Sequence, residues 1–243
     1  MTTRSLAFMD ESGVLGGAAQ RFFALGLMKT THTGPLSDAA HRILDRAISS
    51  VPGGAQGFEF KFNSVTTNSL PFHLELIDAF FSQPDHYFCA FVLDKQRPGV
   101  NWQGYFESVW DAYLSYAKLV VRQNIDPDEE VCVIADYLGK PKKSPRYFES
   151  EVAACTGRKG PNQGRVFNAC MLDSCSSLPI QVVDVILGGV RHAFLADREP
   201  QVTRDVNKDV ISRRIRERVA VPTLARNLTK AAPRYFSVWE LAP

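Results

Sequence analysis

Four acidic residues occupy positions where a charge is either costly or held with unusual rigidity: Asp10, Glu59, Asp136 and Asp184. Asp10 follows the apolar run Leu6-Ala7-Phe8-Met9 and leads into Glu11, Ser12 and Gly13. Asp136 closes a second apolar run, Val131 to Ala135. Glu59 and Lys61 alternate with Phe58, Phe60 and Phe62, so period two puts three rings on one face and the two charges on the other. Asp184 lies in a stretch from Leu178 to Val190 that is apolar almost all round, where an ionised carboxylate is expensive unless paired or bound to a metal. Singly, each acid has an ordinary reading: an acidic turn after a strand for Asp10 to Gly13, and an ion pair with Arg191 or Lys61 for Asp184. Together they suggest a carboxylate cluster for two oxygen-seeking Mg²⁺ or Mn²⁺ ions. Two such ions about 4 Å apart activate a water and stabilise the leaving oxygen in phosphodiester cleavage.

The elements that must bring these acids together alternate along the chain. Strands are expected at 5–10, 21–28, 58–62, 86–94, 131–136 and 165–172. Helices are expected at 37–50, 68–82, 102–124, 145–155, 178–195 and 205–219. The first two strands read as a hairpin, and the alternation argues for an α/β layered sheet. The division expected is a main domain over 1–200 and a C-terminal extension over 201–243, largely helical with an aromatic end, packed on the same domain.

Composition is that of an ordinary globular chain: 243 residues, 45% hydrophobic, 22% charged, net charge +2. No run approaches the eighteen or so apolar residues of a membrane span, and no secretory signal is visible. The five cysteines are odd in number and lack CxxC spacing, so a reduced, zinc-free, cytoplasmic protein is expected, with no membrane partner. His73, His86 and His192 read as packing or surface residues rather than ligands. The absence of P-loop, GxSxG and HExxH patterns removes several enzyme classes.

Asp10-Glu11-Ser12-Gly13, the stretch Glu59 to Phe62, Asp136 after its apolar run, and Asp173-Ser174 leading to Ile180-Gln181-Val182-Val183-Asp184 occur in this order. The set resembles bacterial domain-of-unknown-function family 3800, over about residues 5–195. The resemblance implies a ribonuclease-H-like fold: a mixed central sheet flanked by helices. It also implies a metal-dependent nuclease or close relative, with a role in defence against mobile elements. Asp10, Glu59, Asp136 and Asp184 match the acidic positions of the family. Members often carry Leu-Gln-x-Ala-Asp in the last motif, where this chain has the bulkier Ile180-Gln181-Val182-Val183-Asp184.

On that basis Asp10 is expected to bridge both metals, with Asp136 and Asp184 each completing a site. Glu59 is expected to bind a metal or orient the attacking water, and Lys61 to neutralise a scissile phosphate or steady the acids. Glu11, Ser12 and Gln181 are expected to orient the ligands by hydrogen bonds. Asp173 has two readings, a member of that supporting set or a turn and helix cap. Lys140, Lys142, Lys143 and Arg146 form a basic stretch after Asp136 that is expected to track a DNA or RNA backbone, extended by Arg158, Lys159 and Arg165. The plain alternative is a solvated loop. Arg213, Arg214, Arg216 and Arg218 read as an exposed basic helix. A different class of function, a catalytically weak nucleic-acid-binding or complex-forming protein on the same fold, stays open, as do a homodimer and a partner protein. Phosphoryl transfer to a nucleotide is disfavoured by the lack of a glycine-rich phosphate loop.

Overall fold

The computed structural model describes residues 2–17, 20–156 and 165–242. The basic residues Arg158 and Lys159 lie outside them. Seven strands form one mixed sheet: β1 (Thr3–Ser12), β2 (Phe22–Thr30), β3 (Tyr87–Asp94), β4 (Glu129–Asp136), β5 (Arg165–Leu172), β6 (Leu228–Lys230) and β7 (Phe236–Glu240). Their order is β5-β4-β1-β2-β3-β7-β6. β1 and β2 pair antiparallel as the hairpin expected, β3 pairs antiparallel with β2, and β4 and β5 stack parallel beyond β1.

Helices cover both faces. On one lie α1 (Gly34–Ser50), α2 (Leu70–Ser82), α5 (Leu178–Arg198) and α6 (Val206–Val219); on the other lie α3 (Val109–Gln123) and α4 (Phe148–Ala153). Strand alternation feeds two cores: Phe8, Met28 and Val92 face α5, whereas Met9, Leu25 and Phe91 face α3. α5 is long and apolar enough to cross a membrane by length and composition, a length of apolar chain not anticipated above. In the fold, 78% of its most apolar window is buried against protein, as in a core helix.

Several boundaries differ from expectation for local reasons. α1 begins at Gly34 rather than Ser37, because Pro35 sits at the first helical turn, where its missing N–H costs nothing. α3 begins only at Val109, where the Ser108 hydroxyl accepts the Asp111 N–H at 3.1 Å. The aromatic C-terminus is not an appendage to a helix: β7 pairs parallel with β3 and extends the main sheet.

The main correction concerns residues 58–62, expected as a strand. Residues 58–61 form neither strand nor helix, with Lys61 extended, and Phe62–Ser64 closes them in a 3-10 turn. Period two is nonetheless obeyed, with Phe60 and Phe62 fully buried and Glu59 and Lys61 on the polar side. Side chains of α5 replace the missing ladder: Gln181 Oε1 accepts the Phe60 N–H at 3.0 Å, and Asp184 Oδ2 accepts the Phe62 N–H at 3.2 Å. Two donors two residues apart are thus met by two acceptors three residues apart on a helix.

Candidate functional site

β1 and β4 run parallel with Met9 opposite Ala135, so Asp10 and Asp136 emerge side by side at the same end of the sheet. Both lie at even positions of their strands and face α5, whereas Glu11 turns toward α3. Gly13 makes the turn beyond them with φ of 85°, and a Cβ there would stand 2.5 Å from the Phe22 carbonyl oxygen. α5 lays Asp184 across this strand end, and the 58–62 segment brings Glu59 and Lys61 from above it. Gly188, one turn after Asp184, lets the Phe62 ring lie on the helix; a Cβ would meet it at 2.2 Å. His73 closes the segment from the other side, with its ring edge-on to Phe60 at 5.3 Å.

Ser174 ties the parts together. Its hydroxyl accepts from Lys61 Nζ at 2.7 Å and donates to Glu59 Oε1 at 2.7 Å, while its N–H donates to Asp136 Oδ1 at 2.9 Å. Gln181 Nε2 donates to the Ser174 carbonyl at 2.9 Å. Lys61 Nζ lies 3.4 Å from Glu59 and 3.8 Å from Asp136. Gln181 thus bonds the Phe60 and Ser174 backbone rather than a carboxylate, and the Ser12 hydroxyl accepts Arg191 Nε at 2.9 Å. Asp173 accepts the Cys175 N–H at 3.1 Å and caps the turn at Ser174–Ser176, the plainer of its two readings. Asp184 makes neither of the direct ion pairs considered for it; its recorded partner is the Phe62 N–H.

The carboxylates crowd one another. Burial, and then the charges of Asp184, Glu11 and Asp136, hold the Asp10 carboxyl well above the usual carboxylate range. Burial first and Asp136 second push Glu11 up to about 7. Burial pushes Asp184 up to about 6, against the opposing pull of Lys61 and the Phe62 N–H. Burial alone would lower Lys61, but Glu59, Asp136, Asp184 and Asp10 more than offset it and keep the ammonium charged. One Glu11 carboxylate oxygen, Oε2, is sealed from solvent without a hydrogen-bond partner among the described residues. Buried Tyr113 on α3 has its phenol held well above the usual range by burial, with Glu11, Asp10 and Asp136 adding to it.

The structure thus brings Asp10, Glu11, Glu59, Lys61, Asp136 and Asp184 together. As the side chains stand, no three described His, Cys, Asp or Glu residues form a group set to hold a metal ion. The basic stretch divides. Arg146 is engaged by Asp111 at 2.7 Å and Glu151 at 2.8 Å, and it fastens α3 to α4. Lys140 Nζ donates to the Ser144 carbonyl and lies over the Tyr147 ring. Lys142 and Lys143 are exposed. Arg165 pairs with Glu130 at the far end of β5 from the acids. Sequence reasoning missed Ser174 as a hub, because serines before a helix signal only a cap.

No protein-family model, curated protein or solved structure matches the chain.

Proposed function

We propose that this protein is a ribonuclease-H-like, metal-dependent nuclease that hydrolyses phosphodiester bonds of DNA or RNA at the Asp10, Glu59, Asp136 and Asp184 cluster. The observation that carries this reading is the convergence of four carboxylates from β1, β4, α5 and the 58–62 segment on one strand end. The mixed sheet with helices on both faces is the architecture the family resemblance implies.

The donor set fits a hard divalent cation on chemistry and charge. All the candidate donors are carboxylate oxygens; burial first, with neighbouring carboxylates adding to it, raises Asp10 and Asp184 against the pull of Lys61 on Asp184, and among the described residues Glu11 Oε2 is left without a donor. Asp10, Asp136, Asp184 and Glu59 would hold Mg²⁺ or Mn²⁺. Such ions, when bound, supply an activated water and charge stabilisation at the leaving oxygen. The chain's own groups do the rest. Lys61 meets an incoming phosphate and releases the carboxylates it now neutralises. Ser174 keeps the Lys61 and Glu59 heads at fixed distance. Gln181 and the backbone bond of Asp184 hold the segment that carries them.

Cleavage of labelled single- and double-stranded DNA and RNA, with Mg²⁺ or Mn²⁺, tests the reading in the wild type, Asp10→Asn and Asp184→Asn. Cleavage that needs the ion and vanishes in both folded variants supports it. Binding of nucleic acid without any ion-dependent turnover favours the alternative, a nucleic-acid-binding or complex-forming protein on the same fold.

A further inference from the structure

α6 carries Arg213, Arg214, Arg216 and Arg218, and the structure sorts them into two kinds. Ile211, Ile215 and Val219 form its buried seam, with Ile215 seated against Gly189 of α5. On one flank Arg218 Nε reaches Asp78 Oδ1 of α2 at 2.7 Å and Arg214 approaches Asp78 Oδ2 at 3.7 Å. On the other flank Arg213 and Arg216 are exposed, and among the described residues neither guanidinium has a hydrogen-bond or ion-pair partner.

Arg213 and Arg216 line a cleft of about 400 Å³ between α5 and α6, with Ser212 and Thr223 also on its wall. Two acids also line it, and both are occupied. Asp209 accepts from His192 Nε2 at 2.8 Å and from Arg204 Nε at 3.1 Å, while Asp197 pairs with Arg198 at 2.9 Å. The cleft is therefore left with two uncompensated, fork-shaped cations, the chemistry that takes a phosphate ester.

Its place gives it a use. His192, on the cleft wall, lies on α5 two turns after Asp184, about 12 Å along the helix. Its ring packs on Phe62 at 5.9 Å, and Lys208 of α6 stands over the same ring. Along one strand of a duplex, that distance spans about three or four phosphates.

We propose that the α5–α6 cleft is a phosphate subsite for the nucleic-acid backbone, held by Arg213 and Arg216 a few nucleotides from the acid cluster. The assignment of the ester to a polynucleotide rests on the nuclease reading above; the anion site itself rests on the cleft.

The test is anisotropy of short fluorescein-labelled DNA and RNA oligonucleotides in EDTA, from about 50 to about 200 mM salt. Wild type is compared with Arg213→Gln/Arg216→Gln and with Arg214→Gln/Arg218→Gln, which removes the same charge from the paired flank. Thermal melting confirms that each variant is folded. The expected result is an affinity loss on the order of tenfold and a salt slope smaller by about 2 in the first double variant, with a clearly smaller loss in the second. Equal losses in both variants, or none in the first, overturn the proposal. Inorganic pyrophosphate binding that Arg213→Gln/Arg216→Gln abolishes, with no oligonucleotide bound, overturns the polynucleotide assignment. The two readings fail separately. Arginine-dependent binding without ion-dependent cleavage keeps the cleft and sinks the nuclease. Ion-dependent cleavage lost in Asp10→Asn, with binding unchanged in Arg213→Gln/Arg216→Gln, does the reverse.

Discussion

The Asp184 carboxylate accepts the Phe62 backbone N–H at 3.2 Å, so one acid of the cluster also anchors the segment that delivers Glu59 and Lys61. α5 thus supplies a charge to the site and the scaffold for its neighbours. This dual use separates the effects of two substitutions at one position. Asparagine keeps an oxygen to accept the N–H, whereas alanine leaves a buried donor unmet. Asp184→Ala should be less stable than Asp184→Asn by about 1–2 kcal/mol in chemical denaturation, with both inactive. Equal stabilities would show that the bond does not hold the segment.

Gly188 is the steric counterpart of that bond. Alanine there would put a methyl group into the Phe62 ring, with the closest contact at 2.2 Å. Gly188→Ala should cost about 1–3 kcal/mol and lower activity beyond what the lost stability explains, since Phe62 carries Lys61 with it. An increase in stability from better helix propensity would contradict the close packing.

Ser174 links Lys61 to Glu59 through one hydroxyl. Ser174→Ala should lower cleavage on the order of tenfold, mostly in kcat, and cost about 1 kcal/mol of stability. Unchanged kcat would reduce the serine to a turn residue.

Glu11 gives a pH signature. Its folded pKa, about 7, lies above its ordinary value of 4.5, so between these values the folded state holds the proton more tightly. Stability contributed by the protonated group is complete below about 4.5 and is lost as pH rises through 7. Buried His73, His86 and His192 are held neutral, mainly by burial, and tilt the total the other way. The effect is therefore read as the difference between wild type and Glu11→Gln in metal-free buffer. The variant should match wild type below about pH 4.5 and exceed it by about 3 kcal/mol at pH 8. A difference that does not change with pH would show that burial and Asp136 do not hold the Glu11 carboxyl above its ordinary range.

Much of this was legible from residue pattern. β5 occupies Arg165–Leu172 as expected, and Asp10 and Asp136 emerge at one end of the sheet, because an apolar run that ends in an acid reports a strand end. Residues 58–62 show what periodicity leaves out. Alternation reports which face each side chain takes, and Phe60 and Phe62 are buried as it requires. It does not report what meets the backbone, and here Gln181 and Asp184 do so in place of a neighbouring strand. β7 was hidden for a related reason: its partner β3 is far away in sequence, and parallel pairing leaves no turn signal. The four arginines of α6 look alike in sequence, and only Asp78 on α2 tells Arg214 and Arg218 from Arg213 and Arg216.

The central claim is that the carboxylate cluster is a site for divalent cations, and it can be tested without knowing the substrate. Electron paramagnetic resonance of Mn²⁺ at pH 8 counts the free ion directly as protein is titrated in. A cation site at these carboxylates gives saturable loss of the free-ion signal with about two Mn²⁺ per chain, competed by Mg²⁺, and abolished or much weakened in folded Asp10→Asn. No uptake by the wild type, or the same uptake in the variant, would contradict it.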